Sequence, residues 1–316
     1  MLPLSQSHLT LLDACERKYQ YVFLEALSGP ATYEQQLTTQ WGSRFHLLMQ
    51  QRALDLPVEV MVGANAEMSD SLAALAESAP EVFAHLPETA GKAASESASE
   101  SASKSADKTV VDEVTFSQSE HRRRLAFNGY LLTVIYDLLV IDSRSAVDQA
   151  SQNGDGYQGQ IFDWKTHQRS PRKEWLKNDW QTRLYLYVLC ETTDLRPDQI
   201  SMTYWFVRLA EENQPGFYRF DYSEKQHQAT HQDLLRLTNR LTQLLKLAES
   251  AADFPKVAIE KGLCDRCPFN VRCDRASLAA PTAPTAPTAI ALSPDPHQLL
   301  QTASQLTADT VEEIPW

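Results

Sequence analysis

The 316-residue chain is 43% hydrophobic and 22% charged, enough apolar material for one large core or two modest ones, and this excludes a wholly disordered protein. Asp and Glu outnumber Lys and Arg 41 to 29, and a formal charge of −12 by itself argues against a nucleic-acid partner. The acid is unevenly spread, however: residues 55–113 hold twelve Asp/Glu against three Lys, residues 276–316 hold four against none, and the remainder is close to neutral. The longest apolar stretch, Tyr130–Ile141, is too short for a membrane span and is interrupted by Asp137. The first residues lack a basic n-region, so the expectation is no signal peptide and a reducing, cytoplasmic setting.

In chain order, Ser5 or Ser7 is placed to cap a helix through Leu9, Leu11, Leu12, Tyr19, Val22 and Phe23. A second helix is predicted over 34–54 and a weaker, Ala-rich one within 66–79. Residues 93–106 (AASESASESASKSA) are small, polar and repetitive and read as a flexible insertion. The period then changes to that of strands, over 109–117, 122–127, 130–142 and 158–165, with Asn128-Gly129 a hairpin turn. A helix over 172–191, strands over 200–209 and 216–222, and a long helix over 224–249 follow. Residues 280–296 repeat Ala-Pro-Thr and read as an extended linker, so 277–316 is expected to be a disordered tail. The expectation is one α/β domain over 1–276, with a mixed central sheet flanked by helices.

The sharpest chemical signal is Asp163-Trp164-Lys165 at the end of a strand. Residues two apart share a strand face, so Asp163 and Lys165 project together, and Asp137 joins them if its strand is a neighbour. Two carboxylates suit a hard cation such as Mg²⁺ or Mn²⁺, and a lysine ammonium suits charge developing on a phosphate. His46 follows Gly42 by one helical turn, which lets another segment approach while the imidazole points inward as a third ligand. Gln181 and Tyr185 share a helix face, and the stretch 165–183 is basic, with Trp175 and Trp180 available to stack on bases.

Of five cysteines, three form Cys264-x₂-Cys267-x₅-Cys273, with arginines interleaved. In a reducing compartment this spacing points to a metal, and Cys15 is the best fourth ligand; zinc and an iron–sulfur cluster both suit four thiolates. Cys190, in the run Leu184–Leu189, reads as an apolar thiol.

Taken together these residues resemble the PD-(D/E)XK nucleases of the RecB type, in the iron–sulfur branch that includes CRISPR-adaptation exonucleases and the AddB nuclease domain. The resemblance runs in order from Leu4-Ser5-Gln6-Ser7 and Cys15 through Gly42–His46, Asp137, Asp163-Trp164-Lys165-Thr166 and Gln181–Tyr185 to the cysteine triplet. It implies a restriction-endonuclease-like core and a Mg²⁺/Mn²⁺-dependent deoxyribonuclease, in most cases an exonuclease on single-stranded DNA ends. Such enzymes act in DNA repair, recombination or CRISPR-type processing, some with a helicase partner. It implies metal ligation by His46, Asp137, Asp163 and the Trp164 carbonyl, catalysis by Asp137, Asp163 and Lys165, and positioning by Gln181 and Tyr185. It further implies a [4Fe–4S] cluster at Cys15, Cys264, Cys267 and Cys273, stapling the N-terminal helix to the C-terminal end. The alternative is a catalytically silent iron–sulfur DNA-binding or scaffold subunit of a helicase–nuclease complex. Glu113 is the acidic residue the resemblance suggests before the hairpin. Glu16, Val134 and His167 depart from the family's usual proline, glycine and glycine.

Overall fold

A computed structural model describes residues 1–27, 33–63, 65–84, 114–143, 157–166, 170–208, 216–250 and 252–276. The expected insertion 93–106, the tail 277–316, Glu113 and His167 lie outside the described residues. The chain divides into two compact units at Pro255.

In the first unit a short strand, β1 (Leu2–Leu4), leads into α1 (Gln6–Ala14), α2 (Glu16–Tyr19) and a π-helical turn (Gln20–Leu24). Ser5 caps α1 with His8 at its third position, as the serine predicted, but the helix is broken at Cys15, which takes extended backbone. Four helices follow, α3 (Tyr33–Ala53), α4 (Glu59–Gly63), α5 (Ala66–Ser78) and α6 (Pro80–Ala84). The hairpin of β2 (Val114–Phe127) and β3 (Tyr130–Ser143) turns at Asn128-Gly129, both at positive φ as a two-residue turn of this type requires. Then come β4 (Tyr157–Lys165), α7 (Lys173–Asn178), α8 (Trp180–Glu191), β5 (Ile200–Phe206), β6 (Gly216–Asp221) and α9 (Glu224–Ala248).

The single helix predicted over 172–191 is two helices. Asp179 sits at extended backbone between them, and its carboxylate accepts the Gln181 amide at 2.8 Å. A short acidic side chain competes for helix-end amides, so it starts a new helix instead of continuing the old one. Gln181 thereby falls in the first turn of α8.

The strands form one six-stranded mixed sheet in the order β1-β3-β4-β5-β6, with β2 on the other edge of β3. The β4–β5 pair is parallel, joined through α7 and α8, and the β3–β4 and β5–β6 pairs are antiparallel. One face packs against α1, α8 and α9 through Leu9, Leu139, Ile161, Leu184, Leu189 and Leu241. The other packs against α3 and α5 through Phe45, Leu48, Leu75, Leu138, Phe162 and Trp164. This is the mixed sheet flanked by helices that the sequence predicts.

β3 changes neighbours midway. Residues Tyr130–Leu132 pair with β1 and Leu138–Ser143 pair with β4, both on the same edge. Side-chain alternation also slips: Leu132, Val134 and Tyr136 face α8, whereas Leu138 and Val140, of the same parity, face α3. Asp137 stands at this step. Opposite it on β2, Glu120 has φ of 51°, a left-handed conformation costly for a residue with a Cβ.

The second unit contains the described residues 256–276: a 3₁₀ turn (Ile259–Lys261), Gly262 at φ 66°, and tight turns carrying Cys264, Cys267 and Cys273. Arg275 Nη1 donates to the Val257 carbonyl and, at 3.1 Å, to Cys264 Sγ.

Candidate active site

The site forms where β3 and β4 part. Their ladder ends at Leu138 opposite Phe162, leaving both backbone groups of Trp164 to be satisfied otherwise, since a strand residue's N–H and C=O point to the same edge. Asp137 Oδ2 accepts the Trp164 N–H at 2.7 Å, and His46 Nε2 lies 3.1 Å from the Trp164 carbonyl oxygen. The indole of Trp164 is buried on the α3 face and anchors the strand end.

His46 reaches the sheet because α3 passes close at Gly42. A Cβ at residue 42 would lie 2.9 Å from Thr166 Oγ1, so the segment admitted by the missing side chain is the one that carries Asp163-Trp164-Lys165. His46 Nδ1 is 3.3 Å from Asp137 Oδ1 and 4.0 Å from Glu120 Oε1. Ligand atoms of His46, Glu120 and Asp137 all lie within 4.8 Å of one another. Burial and the adjacent Asp137 carboxylate push the Glu120 carboxyl up to about 7, with His46 opposing the rise. Two carboxylates held this close are favoured by a positive charge between them, and oxygen donors plus an imidazole match Mg²⁺ or Mn²⁺ chemistry.

The second half of the site is on the other face of β4. Lys165 Nζ is 2.9 Å from Asp163 Oδ2 and donates to Gln181 Oε1 at 2.8 Å, while Gln181 Nε2 donates to Asp163 Oδ1 at 2.6 Å. All three side chains are buried. The closed triangle orients the glutamine amide, and through it the ammonium, which also lies 5.1 Å from the centroid of the Tyr204 ring. Burial and the Asp163 carboxylate hold the Tyr204 phenol well above its usual range, so it stays protonated and bonded to Thr182 Oγ1 at 2.7 Å.

The structure thus brings His46, Asp137 and the Trp164 backbone together, and Asp163, Lys165 and Gln181 together. Asp163 is engaged by Lys165 and Gln181 and does not join the His46–Glu120–Asp137 group. Tyr185 is buried with its ring 5.4 Å from Tyr136, whose hydroxyl donates to the Tyr185 carbonyl. Trp180 is a correction: it is buried, its indole N–H donates to Asp13 and Arg183 lies over its ring, so it has no face left for a base. Trp175 is exposed. Cys190 is half-buried and donates to the Leu195 carbonyl, and burial raises its thiol to about 11, in keeping with an apolar thiol.

Glu120 was missed in the sequence. A signal was there: a two-residue turn at Asn128-Gly129 fixes the register of β2 on β3, and counting back from it sets Glu120 opposite Asp137, between the pairs Ser119–Leu138 and His121–Tyr136.

A family model described as the PD-(D/E)XK nuclease superfamily matches residues 3–274. The chain belongs to that superfamily. The match to the PD-(D/E)XK nuclease model takes in residues of both structural units. A search of curated proteins returns no match. Among solved structures, the chain is similar to "Putative exonuclease" from Eubacterium rectale, with a TM-score of 0.44 and 9% identity over 95% of this chain and 92% of that one. No described helix is long and apolar enough to cross a membrane.

Proposed function

We propose that this PD-(D/E)XK nuclease is a divalent-metal-dependent deoxyribonuclease acting on single-stranded DNA ends. The observation that carries the reading is the juxtaposition of two groups: an imidazole and two carboxylates within 4.8 Å on one side of Trp164, and a lysine locked by Asp163 and Gln181 beside it. His46, Asp137 and Glu120, with the Trp164 carbonyl, would hold Mg²⁺ or Mn²⁺, and Asp163, whose oxygens can each accept more than one bond, would border it. Such an ion polarises a phosphodiester and makes bound water a better nucleophile. Lys165 places a fixed positive charge where negative charge develops at the phosphate, and burial strengthens that interaction. Gln181 and Asp163 fix the ammonium position before substrate arrives, so little reorganisation is needed at reaction.

The resemblance extends the proposal to the second unit, where Cys264, Cys267 and Cys273 would serve as ligands of a [4Fe–4S] cluster with a structural role. Donation from the Arg275 guanidinium to Cys264 Sγ suits a sulfur that carries negative charge as a cluster ligand.

The test is digestion of end-labelled single- and double-stranded DNA by protein purified anaerobically, with Mn²⁺ or with EDTA, for the wild type and Lys165→Ala. Cleavage of the single strand by the wild type alone, and only with metal, is the expected result. Cleavage surviving in Lys165→Ala overturns the assigned role of that lysine. No cleavage by well-folded wild type favours a silent DNA-binding or scaffold subunit. Colourless protein overturns the cluster.

A further inference from the structure

The catalytic lysine's stacking arrangement recurs one strand further out. Asp163 on β4, Tyr204 on β5 and Tyr218 on β6 are in register in one row across the sheet. At about 4.8 Å per strand, Tyr218 lies roughly 10 Å from Asp163 along that row. Lys165 lies over the Tyr204 ring, and Lys173, the first residue of α7, lies over Tyr218 and Phe220 at 5.9 and 5.8 Å from their centroids. Ser170 Oγ donates to the Tyr218 hydroxyl at 3.0 Å, fixing the ring on which the ammonium rests. The inner lysine is buried, whereas Lys173 is exposed.

Lys173 stands within an exposed basic cluster at the start of α7. Arg17, Arg183, Arg208, Arg219 and Arg240 are each ion-paired with an Asp or Glu. Arg172, Lys173 and Lys177 are exposed, and none of them forms an ion pair with a described carboxylate. In a chain of net charge −12, a basic cluster left without internal counter-ions is suited to an external anion.

We propose that Lys173, seated on Tyr218 and flanked by Arg172 and Lys177, is a phosphate subsite for the single DNA strand next to the scissile phosphate. The proposal rests on the nuclease reading and deepens it: Lys165 serves the phosphate that is cut, and Lys173 holds the strand beside it. Each phosphate so neutralised releases condensed counter-ions, which gives the subsite a salt signature distinct from folding or chemistry.

The experiment is fluorescence anisotropy of 5′-fluorescein oligo-dT with the full chain in EDTA, over a series of KCl concentrations. The proteins are the wild type, Lys173→Ala, Lys173→Arg and Lys225→Ala, the last an exposed lysine on α9. Lys173→Ala should weaken binding about five-fold and flatten the log–log salt slope by about 0.7, the value for one phosphate on a single strand. Lys173→Arg and Lys225→Ala should keep the wild-type slope. An unchanged slope in Lys173→Ala, or an equal loss in Lys225→Ala, overturns the subsite while leaving the nuclease reading intact. If the wild type binds no single strand at all, the nuclease reading on which the subsite rests fails too.

Discussion

Glu120 faces Asp137 across the β2–β3 hairpin at the one point where β3 exchanges one strand neighbour for another. The pair is expensive in two ways: Glu120 is held at positive φ, and its carboxyl is pushed up to about 7 by burial and by Asp137. Strain and like-charge crowding together are found at functional sites because the surrounding structure enforces them.

Removing that carboxylate should therefore be felt by metal before it is felt by the fold. Glu120→Gln keeps the shape and is expected to weaken Mn²⁺ binding at least ten-fold, with thermal stability unchanged or slightly raised as the repulsion is relieved. Calorimetric titration of Mn²⁺ checks this. Wild-type affinity in the variant would remove Glu120 from the ligand set.

Gln181 acts on a different quantity. Gln181→Leu deletes one partner each from Lys165 and Asp163 and leaves the opposite side of Trp164 untouched. Loss of buried partners costs about 1–3 kcal/mol, and an untethered ammonium should lower the cleavage rate roughly 10- to 100-fold. Mn²⁺ affinity should stay within about two-fold of wild type. Rate constants from end-labelled DNA, beside the metal titration, separate the two effects, and an equal fall in both would mean the two halves of the site are not independent.

The close approach at Gly42 predicts coupling. Alanine ordinarily stabilises a helix interior by about 1 kcal/mol over glycine. Here the added Cβ would meet Thr166 Oγ1 at 2.9 Å, so Gly42→Ala should forfeit that gain. Thr166→Ala removes the obstacle, and the double variant should recover about 1 kcal/mol relative to the sum of the singles. A denaturation cycle with additive effects would show that α3 and the end of β4 do not constrain each other.

His8 supplies a pH dependence away from the site. It stacks on Phe23 at 3.8 Å between centroids and its Nδ1 meets Ser5, and burial lowers its pKa from 6.5 to about 4. The unfolded chain binds the proton more readily, so the contribution to stability is complete above pH 6.5. It declines as pH falls toward 4, by on the order of 2–3 kcal/mol. His8→Gln should be less stable than wild type at pH 7.5 and show a flatter fall between pH 6.5 and 4. Parallel curves in urea melts across that range would rule out His8 as the source.

Much of this was legible from local pattern. Alternating apolar residues located β3 to β6, a run of leucines at helical spacing located α9, and Asn128-Gly129 located the hairpin, because each depends on neighbours in sequence. The two strands expected over 109–117 and 122–127 are instead one strand, Val114–Phe127, among the described residues. Leu2–Leu4 escaped notice as a strand because three residues carry no period and owe their conformation to β3. The break at Asp179 was missed because helical periodicity continues across it, whereas the cap decides.

The site divides in the same way. The residue types at 46, 137, 163 and 165 follow from sequence, since the chemistry of a carboxylate, an imidazole or an ammonium is a property of the side chain. Which of them meet does not follow. Glu120 joined His46 and Asp137, Asp163 was taken up by Lys165 and Gln181, and Trp180 went into the core while Lys173 stayed exposed on Tyr218. Those partnerships depend on where β3 leaves β4 and on how closely α3 and α8 approach the sheet, and such distances are set by packing between segments far apart in the chain.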